Sequence, residues 1–167
     1  MDRFPLAYLI TFICYGAKLH GDESGTVDPE HNLPGTPLIA HNPGLAAVKQ
    51  SRMTQQPYEM DTTRRRAVLQ AIKETCAHEG WVLLAAHIRT KHVHVVVQGM
   101  AAPEKIMNYL KAYASRKLNQ LAIDTENRKR WARHGSTRYL WKQEDMEAAV
   151  HYVVHEQGEA MEVFEYR

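Results

Sequence analysis

The sequence predicts an α+β protein with a ferredoxin-like split βαβ arrangement, in which two helices cover one face of an antiparallel four-stranded sheet. The prediction depends on hydrophobic periodicity, which separates short apolar segments of strand type from longer segments with helical spacing. In chain order these segments read β-α-β-β-α-β and are followed by one more helix. We therefore expect one domain spanning residues 1–167.

The first part of the chain holds one predicted strand and one predicted helix. Residues Leu6–Tyr15 favour a strand because they are rich in aromatic and β-branched residues and end at a glycine. From about 16 to 60 the periodicity disappears and glycines and prolines recur, which indicates an insertion with its own role or a mobile flap. Asp61 or Thr62 then caps a helix that ends at Gly80. Its apolar stripe consists of Val68, Leu69, Ile72 and Cys76.

The second part of the chain holds three predicted strands and two predicted helices. Trp81–Ile88 and His92–Gln98 are apolar strands joined by a three-residue turn, and a helix begins near Pro103. After a polar and basic connection, Arg138–Trp141 is a short strand, and Glu144 to about Glu156 is the last helix. The apolar stripes of the two helices consist of Met107, Leu110, Ala114, Leu118 and Leu121, and of Met146, Ala149, Val150 and Val153.

The formal net charge of +2 is the sum of three unlike segments. Residues 1–88 carry a net charge of −1, residues 89–142 carry +9, and residues 143–167 carry −6. A basic block beside an acidic tail is typical of a protein with a polyanionic partner, although a charged run is also compatible with an ordinary solvated face.

Cysteine usage and the lack of targeting signals indicate a cytoplasmic protein. Cys14 and Cys76 match no metal-binding or redox spacing, and both lie in apolar patterns, so we expect buried, reduced thiols. No apolar run approaches 18 residues, and the N-terminal apolar stretch lacks the features of a signal peptide. We therefore predict no membrane association.

Two polar clusters stand out against this background. His92 and His94 are two residues apart on a predicted strand, so both imidazoles point to one face, roughly 6 to 7 Å apart. Tyr152 and Glu156 are four residues apart on the last helix and share a face, and His155 is three residues from the same tyrosine. Each cluster alone is also compatible with polar residues on a half-exposed surface.

Together the two clusters predict a site for phosphodiester chemistry. His92, His94 and Glu156 form a metal site with two histidines and one carboxylate, with His155 as the alternative third ligand. A bound cation polarises a phosphoryl oxygen and favours the phenolate form of the nearby Tyr152. Attack by that tyrosinate on a phosphodiester forms a covalent phosphotyrosine and divides strand cleavage and rejoining into two steps.

These residues give the chain a family resemblance. The His92-Val93-His94 strand followed by Tyr152 on a C-terminal helix resembles the HUH single-tyrosine transposases of small insertion sequences, and in particular the REP-associated tyrosine transposases. The resemblance is strongest over Trp81–Gln98 and Glu144–Met161. The family places a polar metal ligand, often Gln, four residues after its tyrosine, and that position is Glu156 in this chain. The aperiodic insertion is a departure from the family, and its His20, His31 and His41 are either a separate ligand set or, as is usual for isolated loop histidines, polar surface residues.

The resemblance implies a Mg²⁺- or Mn²⁺-dependent nuclease and strand transferase that acts on single-stranded DNA, often next to a hairpin. It implies Tyr152 as the nucleophile, a 5′-phosphotyrosine intermediate and a free 3′-OH. It also allows a homodimer, because family members build their active sites from one chain or from two. Two alternatives stay open: a domesticated HUH nickase, and a catalytically silent ferredoxin-like regulator that binds nucleic acid.

The basic block supplies the predicted DNA contacts, because Lys and Arg bind phosphates and aromatic side chains stack on unpaired bases. The predicted DNA-binding residues are Arg89, Lys91, Lys105, Lys111, Arg116, Lys117, Arg128, Lys129, Arg130 and Arg133. Tyr109, Tyr113 and Trp141 lie among them and either stack on bases or belong to the core, and for Trp141 we favour the core.

Overall fold

The structure is a computed structural model that describes residues 3–17 and 53–167. Its elements are, in chain order, β1 (Ala7–Ile13), α1 (Thr62–Glu79), β2 (Val82–Ile88), β3 (His92–Gln98), α2 (Pro103–Leu121), β4 (Ser136–Leu140), α3 (Gln143–His155) and β5 (Glu162–Glu165). The predicted order of strands and helices is confirmed, and β5 is an addition to it.

The strands form one antiparallel sheet with the order β4-β1-β3-β2-β5. The first four strands have the order of a ferredoxin-like split βαβ fold, so the predicted fold class is confirmed. β5 extends the sheet by pairing with β2, where Phe164 lies opposite Ala86. A strand of only four residues offers too little alternation to be recognised from sequence.

Helices cover both faces of the sheet. α1 and α2 pack on one face and form the larger core with residues of β1, β2 and β3. α3 packs on the opposite face, where Ala149 and Val153 contact Leu9, Ala85 and Val96 in a smaller apolar cluster. Because side chains alternate along a strand, the valines at 93, 95 and 97 face the larger core, and positions 92, 94 and 96 face α3.

Local signals set the ends of α1. The Asp61 side chain accepts a hydrogen bond from the backbone N–H of Arg64 and caps the start of the helix. Gly80 ends the helix in the left-handed conformation, with φ of 77°, which a residue with a Cβ adopts less readily. These observations confirm the predicted start and end of this helix.

The last residues of the predicted insertion are part of the hydrophobic core. Its central residues 18–52, including His20, His31 and His41, lie outside the described residues. Tyr58 and Met60 are buried in the larger core, and the N–H of Tyr58 donates to the carbonyl of Tyr15. The segment from 53 to 60 is thus part of the fold, although its sequence shows no regular period.

The two cysteines are buried and reduced, as predicted. Burial raises the pKa of the Cys14 thiol and that of the Cys76 thiol to about 12, so both remain protonated. None of the helices in the described part of the chain is long and apolar enough to cross a bilayer.

Candidate functional site

The fold brings His92, His94 and Tyr152 together on the face of the sheet that α3 covers. The centroids of the His92 and His94 rings are 5.6 Å apart, and the Tyr152 ring centroid is 6.0 Å from that of His94. Tyr152 reaches this position because Val153, its neighbour on α3, is buried against the sheet. Tyr152 remains 40% exposed, so part of the residue is accessible to a ligand.

A hydroxyl from β1 orients the His94 ring. Thr11 lies directly opposite His94 in the register of β1 and β3, and its Oγ1 is 2.9 Å from His94 Nδ1. A metal ion would therefore bind His94 through Nε2, since Nδ1 is already hydrogen-bonded. Histidine ligands in metal sites are commonly fixed by a hydrogen bond of this kind. The sequence offered no signal for Thr11, because its position depends on the strand register.

In the structure, neither Glu156 nor His155 forms a three-ligand cluster with His92 and His94. α3 ends at His155, and the Glu156 carboxylate is 3.8 Å from His151 Nδ1. His155 also lies beside His151, with 5.0 Å between the ring centroids. Across residues 3–17 and 53–167, no three His, Cys, Asp or Glu side chains are arranged to hold a metal ion. The third ligand therefore stays a prediction.

His87 is a further polar residue of this region, and sequence reasoning missed it. It lies on β2 opposite His94, is fully buried, and contacts the end of α3. Burial lowers its pKa, so the imidazole is neutral near pH 7. A histidine in an otherwise apolar strand was the only sequence signal.

Arg130 is the predicted DNA-binding residue that the structure contradicts most directly. Its side chain is only 5% exposed, and its guanidinium forms an ion pair with the buried carboxylate of Asp124 at 3.1 Å. Arg64 of α1 binds the same carboxylate at 2.8 Å. A buried charge needs a partner of opposite sign, and this ion pair keeps Arg130 in the interior instead of on a DNA-binding surface.

Four other predicted DNA-binding residues are half-buried and hydrogen-bonded within the protein. Arg89 donates to the Glu159 carbonyl, and Arg128 donates to Gln55 and Gln56. The half-buried residues are Arg89, Lys111, Lys117 and Arg128. Lys111 donates to two backbone carbonyls, and burial lowers its pKa to about 8.

Lys117 forms a partly exposed ion pair with Glu74. The exposed members of the predicted set are Lys91, Lys105, Arg116, Lys129 and Arg133. Lys105 and Arg116 belong to α2, which lies on the face of the sheet opposite His94.

Exposed aromatic side chains lie at the end of β4, which is an edge strand. Tyr139 is 47% exposed and Trp141 is 40% exposed, and their ring centroids are 5.9 Å apart. The Arg3 guanidinium lies 5.3 Å from the Trp141 ring centroid. Our expectation that Trp141 belongs to the core is therefore wrong, because this residue directly follows an edge strand and has no neighbouring strand to cover it.

Comparisons with known proteins identify a family and a similar fold. The family described as "Transposase IS200 like" matches residues 53–157. Among solved structures, the chain is similar to a REP-associated tyrosine transposase bound to a REP hairpin, with 11% sequence identity and a TM-score of 0.50. That similarity covers 92% of this chain and 69% of the other, and at this identity it concerns the fold. A search of curated proteins found no match.

Proposed function

Because the chain belongs to the IS200-like transposase family, we propose that it cleaves and rejoins single-stranded DNA through a covalent bond to Tyr152. The observation that carries this proposal is the placement of Tyr152 beside His94, on the face of β3 that also holds His92. The helix that carries the tyrosine comes from a different part of the chain than the two histidines. Their convergence on one face is therefore a product of the fold.

In the proposed reaction the Tyr152 oxygen attacks the phosphorus of a phosphodiester and loses its proton to solvent. The bond from phosphorus to the 3′ oxygen breaks, and that oxygen takes up a proton. The products are a 5′-phosphotyrosine and a free 3′-OH, and attack by a 3′-OH on the phosphotyrosine reverses the step. Tyr152 is exposed, so part of its side chain is accessible to a phosphate.

His92 and His94 are the residues that would hold a divalent cation. The two imidazoles fit such an ion because they lie on one face with their ring centroids 5.6 Å apart, which is close enough for both rings to bind it. A cation in this position supplies charge that polarises a phosphoryl oxygen. Imidazole ligands suit Mn²⁺ better than Mg²⁺, which prefers oxygen ligands. Glu156, with His155 as the alternative, remains our proposed third ligand, and its carboxylate would have to leave its position beside His151 to reach an ion held by the two histidines.

The proposed substrate is single-stranded DNA next to a hairpin. The similar solved structure is that of a tyrosine transposase bound to a REP hairpin, which supports this class of substrate. We propose that the exposed basic residues bind its phosphates and that Tyr139 and Trp141 stack on unpaired bases. A homodimer stays a prediction.

The decisive experiment is a search for a covalent adduct. The protein is incubated with hairpin-bearing single-stranded oligonucleotides and Mn²⁺, and the products are separated in SDS. We expect an adduct that Tyr152→Phe abolishes and that Tyr166→Phe, the matched control at an exposed tyrosine, leaves intact. His92→Ala and His94→Ala should each reduce the adduct and its dependence on Mn²⁺. An adduct that survives Tyr152→Phe would contradict the assignment of the nucleophile.

A second function, a silent DNA-binding regulator, is favoured if the wild-type protein binds the hairpin without forming any adduct. In that case neither Tyr152→Phe nor removal of divalent metal should change the affinity for DNA. The two functions thus differ in one measurement that requires no knowledge of the natural target.

A further inference from the structure

The buried imidazole of His87 joins the sheet to the end of the helix that carries Tyr152. His87 lies opposite His94 in the register of β2 and β3, so the two side chains share one face of the sheet. Its exposed fraction is 0%. A buried polar ring is stable only when its nitrogens are hydrogen-bonded, and both nitrogens of His87 have partners.

Two partners of His87 are backbone groups from opposite sides of the turn that follows α3, and a third is the side chain of Arg89. Nδ1 is 3.1 Å from the carbonyl oxygen of Val153, and Nε2 is 3.0 Å from the backbone nitrogen of Met161. A carbonyl only accepts and a backbone N–H only donates. His87 therefore carries its proton on Nδ1, donates it to Val153, and accepts the Met161 hydrogen at Nε2.

The hydrogen bond from His87 to Val153 supplies a partner for a carbonyl that has none within the helix. The last four carbonyls of a helix have no partner within it, and α3 ends at His155, so the Val153 carbonyl is one of these groups. Val153 directly follows Tyr152 in the chain. The ring of His87 thus holds the backbone next to the proposed nucleophile at a fixed place above β2.

Arg89 completes this clamp, which we define as His87 and Arg89 with the backbone of Val153, Glu159 and Met161. The Arg89 Nη1 donates to the Glu159 carbonyl at 2.8 Å and lies 3.3 Å from His87 Nε2. The clamp therefore fixes both the end of α3 and the turn that leads to β5. This explains why Arg89, although basic, lies half-buried within the fold.

We propose that His87 is a positioning residue that keeps Tyr152 over His94 during DNA cleavage. The inference rests on the proposed function, since it takes Tyr152 as the nucleophile. Replacing His87 with an apolar residue leaves the Val153 carbonyl and the Met161 N–H without partners, so the end of α3 shifts or frays. A misplacement of about 1 Å costs a reaction about 100-fold in rate.

The test compares His87→Leu with His87→Gln, whose amide again offers one donor and one acceptor. With saturating DNA, we expect His87→Leu to form the adduct about 100-fold more slowly, with the dissociation constant for DNA changed less than about twofold. His87→Gln should form the adduct at least about tenfold faster than His87→Leu does. The matched control is Thr75→Val on α1, which removes a buried hydrogen bond to Ala71 on the other side of the sheet. It should keep the wild-type rate.

A second measurement does not depend on activity. Hydrogen exchange at the Met161 amide should be faster in His87→Leu than in the wild type or Thr75→Val. The nuclear Overhauser effect between ring protons of His94 and Tyr152 should be weaker in His87→Leu. A folded His87→Leu protein with an unchanged ring contact and unchanged exchange overturns the inference, as does an unchanged adduct rate. If the wild type forms no adduct, the proposed function fails, and exchange and ring contact still decide whether His87 positions Tyr152.

Discussion

The hydrogen bond between Thr11 and His94 sets the rotation of a proposed metal ligand. It joins two strands that are adjacent in the sheet but more than 80 residues apart in the chain, at positions 11 and 94. In known metal sites the loss of such an outer hydrogen bond costs about 10- to 100-fold in metal affinity. The effect of this threonine is therefore measurable without any DNA.

We expect Thr11→Val to bind Mn²⁺ about 10- to 100-fold more weakly than the wild type, because the His94 ring loses its orienting partner. Free Mn²⁺ is measured by electron paramagnetic resonance during a titration. The control is Thr137→Val on β4, since Thr137 pairs with Ile10 and its hydroxyl contacts Glu104. Equal Mn²⁺ affinities for Thr11→Val and the wild type would show that Thr11 does not orient a ligand.

Single residues also show where local periodicity stops being informative. The two-residue period of a strand correctly placed His92 and His94 on one face. The four-residue spacing from Tyr152 to Glu156 implied a shared helix face, but the helix ends at His155 and Glu156 adopts a non-helical φ of −111° and ψ of 20°. Beyond a helix end that spacing rule no longer applies, and Glu156 lies beside His151 instead.

At the scale of an element, β4 is the strand for which the sequence prediction and the structure differ most. Arg138–Trp141 was the predicted strand, whereas the observed one spans Ser136–Leu140. It lies at an edge of the sheet, so aromatic residues at its end remain exposed next to Arg3, and the sequence alone indicated a buried tryptophan. Position within the sheet, which depends on pairing with β1, decided the exposure.

We expect Trp141→Ala to weaken binding of unstructured single-stranded DNA by about 5- to 150-fold, because stacking on one aromatic ring is worth about 1 to 3 kcal/mol. Fluorescence anisotropy of a labelled oligonucleotide measures the affinity, with Tyr152→Phe as the background to prevent covalent trapping. Tyr166→Ala is the control, since Tyr166 is an exposed aromatic residue that follows β5 at the opposite edge. A loss of affinity no larger than that of Tyr166→Ala would contradict the stacking role.

At the scale of the whole molecule, Asp124 links parts of the chain that are far apart. Its carboxylate, 6% exposed, accepts hydrogen bonds from Tyr58, from Arg64 on α1, and from Arg130. Burial raises the pKa of Asp124, but the hydrogen bonds from these three residues outweigh it and the pKa is lowered overall. The stabilisation by this carboxylate is complete above its unfolded pKa of about 3.8 and is lost as pH falls toward its lower folded pKa.

We expect Asp124→Asn to lower the free energy of unfolding by about 3 to 5 kcal/mol at pH 7, because Arg130 is left buried without a counter-charge. Urea unfolding measures the effect. The difference in the free energy of unfolding between Asp124→Asn and the wild type should be constant between pH 5 and 7, because both values lie at least about one unit above the unfolded pKa of Asp124. The difference should shrink when the pH falls below about 3.8. Glu74→Gln, which breaks a more exposed pair with Lys117, should lower the free energy of unfolding much less than Asp124→Asn does. Equal losses for the two variants would contradict the buried role of Asp124.

The sequence by itself determined the order of the elements from β1 to α3, the split βαβ fold class and the shared face of His92 and His94. These follow from periodicity and from turn residues, which act over a few neighbouring positions. Only the tertiary structure decided that α3 lies on the face opposite α1 and α2, that Thr11 and His87 lie opposite His94, and that Arg130 is buried. Each of these depends on strand register or on packing between residues far apart in the chain, and no local pattern of residues encodes such contacts.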